Sequence, residues 1–306
     1  MNSHMTPPHQ SRLFDQIFDG KKLLFVSGKG GVGKSLFSAL LAYRASQLGL
    51  NVTLLQSNVR DQLGPLLGVE GLSHTLQECH PRMRIANLDP RLNFKDFIVK
   101  HLGFQSLFDR VFSQTMVKSF VDMIPGLAEM TLLGRLFYEA KLQRSQAVDL
   151  VIFDSFASGH HLSLMQTPSA VLSSGLTGAV FDETIRVRDF LGSTECRSIF
   201  VSEADALIAS ELADFFPKFL SCELAKPIGI FLNRLSADIE ATPESMREET
   251  QGILAHRKIL DHLGLDSSER NTQLFLFEEQ GWIDEPFTAD FVSRFIAGPT
   301  KGVIYG

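Results

Sequence analysis

The stretch Ser27-Gly28-Lys29-Gly30-Gly31-Val32-Gly33-Lys34-Ser35 constrains the fold of this chain more than any other. Apolar Leu23-Leu24-Phe25-Val26 precede it, as a short buried strand would, and Leu36-Phe37-Ser38 continue from Lys34-Ser35 as the opening of a helix. Gly28, Gly30, Gly31 and Gly33 permit backbone angles and close approach that a Cβ would block, so successive N–H groups converge on an anion. The following helix adds its free N–H groups and positive end. In this setting Lys34 is expected to reach the β- and γ-phosphates of a nucleotide, and the Ser35 hydroxyl to ligate Mg²⁺. The expected binding segment is therefore Gly28, Gly30, Gly31, Val32, Gly33, Lys34, Ser35 and Leu36, holding ATP or ADP with Mg²⁺.

A strand–loop–helix unit of this kind needs a sheet to sit in, and the rest of the sequence supplies one. Short apolar runs predict strands over Lys22 to Ser27, Val52 to Gln56, Met83 to Leu88, Leu150 to Phe153, Ser198 to Val201, Ile228 to Leu232 and Leu274 to Phe277. Helical patterns separate most of them, which predicts an α/β fold: a doubly wound, mostly parallel sheet covered on both faces. From about 91 to 147 no strand candidate occurs. Phe94, Phe97, Ile98, Leu102, Phe104, Leu107, Phe108, Val111, Phe112, Met116, Val117, Phe120 and Val121 recur there at helical spacing, so a helical insertion is expected. It either packs into the core or offers a surface to an apolar partner. The opening Met1-Asn2-Ser3-His4-Met5 reads as a cloning remnant. Residues 1–20 are therefore expected to be a disordered tag and lead-in, and 21–306 one domain with the insertion.

The bulk properties narrow the partners. A formal charge of −6 argues against a general phosphate-neutralising surface, so no nucleic acid is expected. Cys79, Cys196 and Cys222 lie far apart, without the spacing of a zinc site or a disulfide framework. No apolar run approaches the roughly 20 residues that span a bilayer, and no signal peptide opens the chain. A cytoplasmic protein without an integral membrane segment is expected. His74, His80, His101 and His161 fall on expected loops or helix surfaces, with no ligand spacing.

Lys29 carries more specific information, because an ordinary phosphate loop has no need of a lysine there. Gly28-Lys29-Gly30-Gly31-Val32-Gly33-Lys34-Ser35 resembles the deviant Walker motif of dimeric ATPases. That group includes the arsenite-pump, tail-anchored-protein targeting, division-site, partition and nitrogenase-iron-protein families. The resemblance implies that Lys29 crosses to the partner's nucleotide in a homodimer, or in a heterodimer with a related ATPase. Asp154-Ser155-Phe156-Ala157-Ser158-Gly159-His160, followed by Leu162, Leu164 and Pro168, is similar to the second switch of the arsenite-pump and targeting branch. Phe156 and Ala157 depart from that pattern. Asp154, at a strand end, is the implied acid on the Mg²⁺ side. Leu88-Asp89-Pro90 and Pro125-Gly126 extend the likeness, and Phe231-Leu232-Asn233-Arg234 is similar to a segment near the adenine. Asn233 there either pairs with the base edge or is a plain turn residue. The cysteines and acidic balance set aside the iron–sulfur, metalloid-sensing, zinc-clasp and DNA-partition branches, and the Gly298-Pro299-Thr300-Lys301-Gly302 ending is unlike a basic membrane helix.

The first switch departs most. Where the family carries the aspartate that orients the attacking water, alignment of strand ends puts Asn58. An amide has no charge to hold that proton. Two expectations follow. Asp61 could substitute, giving an active ATP-driven targeting factor that holds an apolar client, or the chain is an ATP-binding switch with slow hydrolysis. The second is preferred, and Lys29, Lys34, Asn58 and Asp61 are the residues on which the distinction turns.

Overall fold

The structure is a computed structural model and describes residues 15–102, 126–142, 148–175, 177–235, 243–263 and 273–278. One eight-stranded sheet runs through it, in the order β3-β4-β2-β5-β1-β6-β7-β8. The strands are β1 (Leu23–Gly28), β2 (Val52–Gln56), β3 (Gln77–His80), β4 (Met83–Asn87), β5 (Leu150–Ala157), β6 (Cys196–Glu203), β7 (Pro227–Leu235) and β8 (Gln273–Glu278). Every pairing is parallel except the edge pair β3–β4. The expected doubly wound α/β sheet is thus present, with every predicted strand in it.

The β3 strand is an addition. Gln77-Glu78-Cys79-His80 has no apolar run and is nowhere fully buried, because an edge strand covered on one side needs backbone partners more than core side chains. β5 is longer than expected, so Asp154 stands inside the strand and not at its end. The register against β1 shifts just beyond it, between Val26 and Gly28.

Alternation along β1 shows how the sheet serves two layers. Leu23 and Phe25 belong to one apolar cluster, and Leu24 and Val26 to the other. The first layer is covered by α4 (Leu127–Phe137), α5 (Ser158–Ser173), α6 (Ala179–Gly192), α7 (Ala206–Leu220) and α8 (Pro243–Leu263); the second by α1 (Lys34–Gln47) and the short α2 (Leu63–Leu67). All six residues of β1 are buried, as expected of a strand with helices on both faces. Ile17 and Phe18, in a 3₁₀ turn at Gln16–Phe18, join the second cluster, so the last part of the N-terminal lead-in belongs to the core. The described parts of the insertion are α3 (Pro90–Leu102), α4 and a π turn at Tyr138–Leu142 that continues α4. Residues 103–125, which carry most of its predicted apolar stripe, lie outside the described residues. Among the described residues no helix is long and apolar enough to cross a membrane.

Candidate functional site: a phosphate loop with a polar floor

The order of the strands decides where chemistry is possible. β1 is flanked by β5 and β6 although β2 follows it in sequence, so the chain reverses direction across the sheet at β1. The carboxyl ends of strands at such a point open a crevice. The loop Lys29–Gly33 leaves β1 there and feeds α1, whose N-cap is Gly33 at φ 91°. No side chain caps this helix and no acid occupies its first turn, so its leading N–H groups are left for an external anion.

Two glycines are demanded by geometry. At Gly28, with φ 146°, a Cβ would stand 2.0 Å from the Val201 carbonyl oxygen on β6. At Gly33 it would stand 2.5 Å from Asn233 Nδ2. Gly30 and Gly31 have nothing within 4 Å and are exposed, leaving open space at the loop's outer face. The cradle therefore fits a phosphate group, with a fixed rear wall and an open front. Val32 and Leu36 bury their side chains, so only their backbones are available to a ligand.

Lys34 Nζ donates to the Lys29 carbonyl oxygen at 2.9 Å, crossing the loop it would serve. Burial lowers its pKa, and the nearby Asp154 opposes that effect. Ser35 Oγ lies 2.6 Å from Asp154 Oδ2 and 2.7 Å from Gln62 Oε1. One hydroxyl proton satisfies one acceptor at a time, so these three oxygens together suit a hard cation. Ser38, one turn along α1, donates to Asp154 Oδ1 at 3.0 Å. Asp154 is 2% exposed. Burial pushes its carboxyl up to about 6, against the pull of Ser35, Ser38 and Lys34. Among the described residues no three His, Cys, Asp or Glu side chains cluster as a metal cage, and Mg²⁺ held by a phosphate, one carboxylate and one hydroxyl needs none.

Strand register builds the floor beside this cation position. Gln56 of β2 is level with Asp154 on one side and with Asn87 of β4 on the other. The Asn87 amide clamps the backbone of Asn58: Asn58 N donates to Asn87 Oδ1 at 3.0 Å, and Asn87 Nδ2 donates to Asn58 O at 2.9 Å. Asn58 Nδ2 reaches Gln56 Oε1 at 3.4 Å. Asp61 is occupied elsewhere. Its Oδ1 accepts from Gln56 Nε2 at 2.6 Å and from the Gly64 N–H at 2.9 Å, which ties it to the first turn of α2.

The remaining expected residues are distributed as follows. Lys29 pairs within its own chain, with Glu211 Oε1 of α7 at 2.8 Å, and both side chains are about half exposed. Asn233 is 6% exposed, and its Nδ2 donates to Val32 O at 3.0 Å, so here it braces the loop from beneath. His161 corrects the surface expectation: it is wholly buried, between Ser155 Oγ at 3.0 Å and Ser198 Oγ at 3.1 Å. Burial drives its pKa down to about 3, so it is neutral and ties β5, α5 and β6 together. Gln56, Gln62, Ser38 and Asn87 were not singled out by sequence. Only Ser38 carried a signal, three residues beyond Ser35 and so on the same helix face.

The profile of a family described as anion-transporting ATPase matches residues 21–217. An "ATPase get3" of Schizosaccharomyces japonicus is 27% identical over 258 residues, covering 82% of this chain and 78% of that protein. An "ATPase get3" of Neurospora crassa is 27% identical over 176 residues, 56% of this chain and 49% of the relative. An "ATPase ASNA1 homolog" of Dictyostelium discoideum is 28% identical over 168 residues, 53% and 46% respectively. The match thus spans about half the length of two of these three relatives.

Proposed function

The chain belongs to the anion-transporting ATPase family, and we propose that its glycine loop binds the nucleotide of a Mg²⁺-dependent, ATP-gated dimeric switch whose own hydrolysis is slow. One observation carries this reading. Asn58, which the resemblance puts at the water-orienting position, is an amide whose backbone is clamped by Asn87, and the nearest candidate substitute, Asp61, already accepts two hydrogen bonds on one oxygen. In this reading the loop amides and Lys34 hold the β- and γ-phosphates. Ser35 and Asp154 would hold Mg²⁺, which would supply neutralisation of phosphate charge. Asn233 keeps the loop's shape through Val32, and Lys29 exchanges its in-chain partner Glu211 for a nucleotide across the dimer. Binding survives the loss of a water-orienting group while turnover suffers, commonly by about 10²-fold to 10⁴-fold.

Single-turnover hydrolysis of the wild type beside Asn58→Asp tests the proposal. The expected result is slow wild-type turnover that the substitution accelerates by about 10²-fold or more. Wild-type turnover already fast and indifferent to the substitution overturns it. A second reading has specific support in the relatives, which are named as ATPases, and in the phenylalanine-rich insertion. It makes the chain an active ATP-driven factor holding an apolar client, and fast wild-type turnover selects it.

A further inference from the structure

We propose that the cleft between α3 and α4 is a second binding site, separate from the phosphate loop, and that it takes an organic ammonium ion carried on an apolar body. The cleft encloses about 490 Å³, within the range of small-molecule sites. Asn93 of α3 and Glu139 of the π turn line it, each 2% exposed. Both amide atoms of Asn93, and Oε2 of Glu139, lack any hydrogen-bond partner. Leaving such groups buried and unpaired is unfavourable, so two lining residues that keep three such atoms between them suit an occupant with polar groups to offer.

The surroundings show what that is. Polar groups nearer the mouth are satisfied: Arg135 Nε donates to Glu139 Oε1 at 2.8 Å, Arg135 Nη1 donates to Asp96 Oδ2 at 3.1 Å, and His74 Nε2 meets the same Asp96 oxygen at 3.1 Å. His74 Nδ1 accepts the Asp89 N–H at 3.1 Å, which leaves the proton on Nε2 for Asp96. Arg135 Nε is thus turned to Oε1 and Nη1 to Asp96, and Oε2 of Glu139 is the acceptor that remains. Asp96, Glu139 and Glu183 line the cleft against one lining cation, Arg135, and a further one, Arg186, pairs with Glu183 at 3.3 Å. An anion would meet this excess of carboxylate. An ammonium group would satisfy Glu139 Oε2 and Asn93 Oδ1 together, while Phe97 and Val99, which also line the cleft, would cover an apolar body. The helix irregularity agrees: the cleft is bounded by a π turn, a feature frequent at functional sites.

Titration calorimetry and amide NMR on the nucleotide-free chain test the proposal, with 2-phenylethylammonium as the probe and 2-phenylethanol and 3-phenylpropionate as its neutral and anionic counterparts. Saturable binding of the ammonium is expected, at least about tenfold tighter than the alcohol and with no binding of the carboxylate. The amide shifts should centre on Thr131 and Gly134. Glu139→Gln and Asn93→Leu should each weaken binding, the first by about tenfold, with nucleotide binding intact. No saturable binding, meaning a cleft that holds ordered water only, overturns the proposal. So does equal affinity for the alcohol, unchanged affinity in either variant, or amide shifts confined to other regions. The wild-type comparisons and shift map stand whether or not a variant folds.

Discussion

Asp154 shows what a buried carboxylate costs the fold that holds it. Its folded pKa of about 6 lies above the ordinary 3.8, so between those values the folded chain holds more protons than the unfolded one. Stability from this group is therefore fully present below the ordinary value and declines as pH rises through about 6. Asp154→Asn should raise the melting temperature of the nucleotide-free protein at pH 7, the gain amounting to about 3 kcal/mol at most. It should vanish below pH 4, and Mg²⁺-dependent ATP binding should be lost; calorimetry at both pH values and a nucleotide titration with and without Mg²⁺ measure this. A lower melting temperature at pH 7 would contradict the desolvation account. Asp61 offers the opposite case. Because its carboxylate accepts the Gly64 N–H at the start of α2, Asp61→Ala should cost about 1 kcal/mol in urea unfolding and leave turnover unchanged. A roughly 10²-fold fall in turnover would make Asp61 the water-orienting group after all.

At the level of the element, the glycines of the phosphate loop divide into those the fold needs and those the ligand needs. Gly28 is hemmed in by the β6 backbone, so Gly28→Ala should push β1 from β6 and destabilise the protein by about 3 kcal/mol. Gly30 has no neighbour within 4 Å. Gly30→Ala should leave stability within about 0.5 kcal/mol yet weaken nucleotide binding, since the new methyl enters the space a phosphate takes. Chemical unfolding and nucleotide titration on the two variants separate these roles; equal effects of both on stability would show that the loop's open face is not a ligand face. The loop itself was fully legible, because glycine spacing between a strand and a helix has few other uses. The floor was not. Asn87 and Gln56 lie 31 residues apart in sequence and become neighbours only through the register of β2 with β4.

For the whole molecule, the pairing of Lys29 with Glu211 sets the question of assembly. Exposed ion pairs of this kind contribute roughly 0–1 kcal/mol, so a triphosphate on a partner competes easily for the lysine. Light scattering after size exclusion should show ATP shifting the chain to a dimer, with ADP less effective and Lys29→Ala unresponsive. An elution position indifferent to nucleotide would remove the dimeric switch while leaving nucleotide binding standing.

Sequence by itself determined the sheet's parallel strands and the glycine loop between β1 and α1, because apolar periodicity and glycine spacing are local signals. Tertiary structure decided the rest. The edge strand β3 had no apolar run to announce it, since an edge is held by backbone hydrogen bonds. His161 looked like a surface residue until β5 and β6 supplied Ser155 and Ser198 on either side. Asn233 could face a base or a turn until the end of β7 brought its amide under Val32. Asn93 and Glu139 carried no signal, because a cavity exists only once two helices fail to close on each other. What a side chain touches across the fold depends on register and packing, which sequence spacing does not encode.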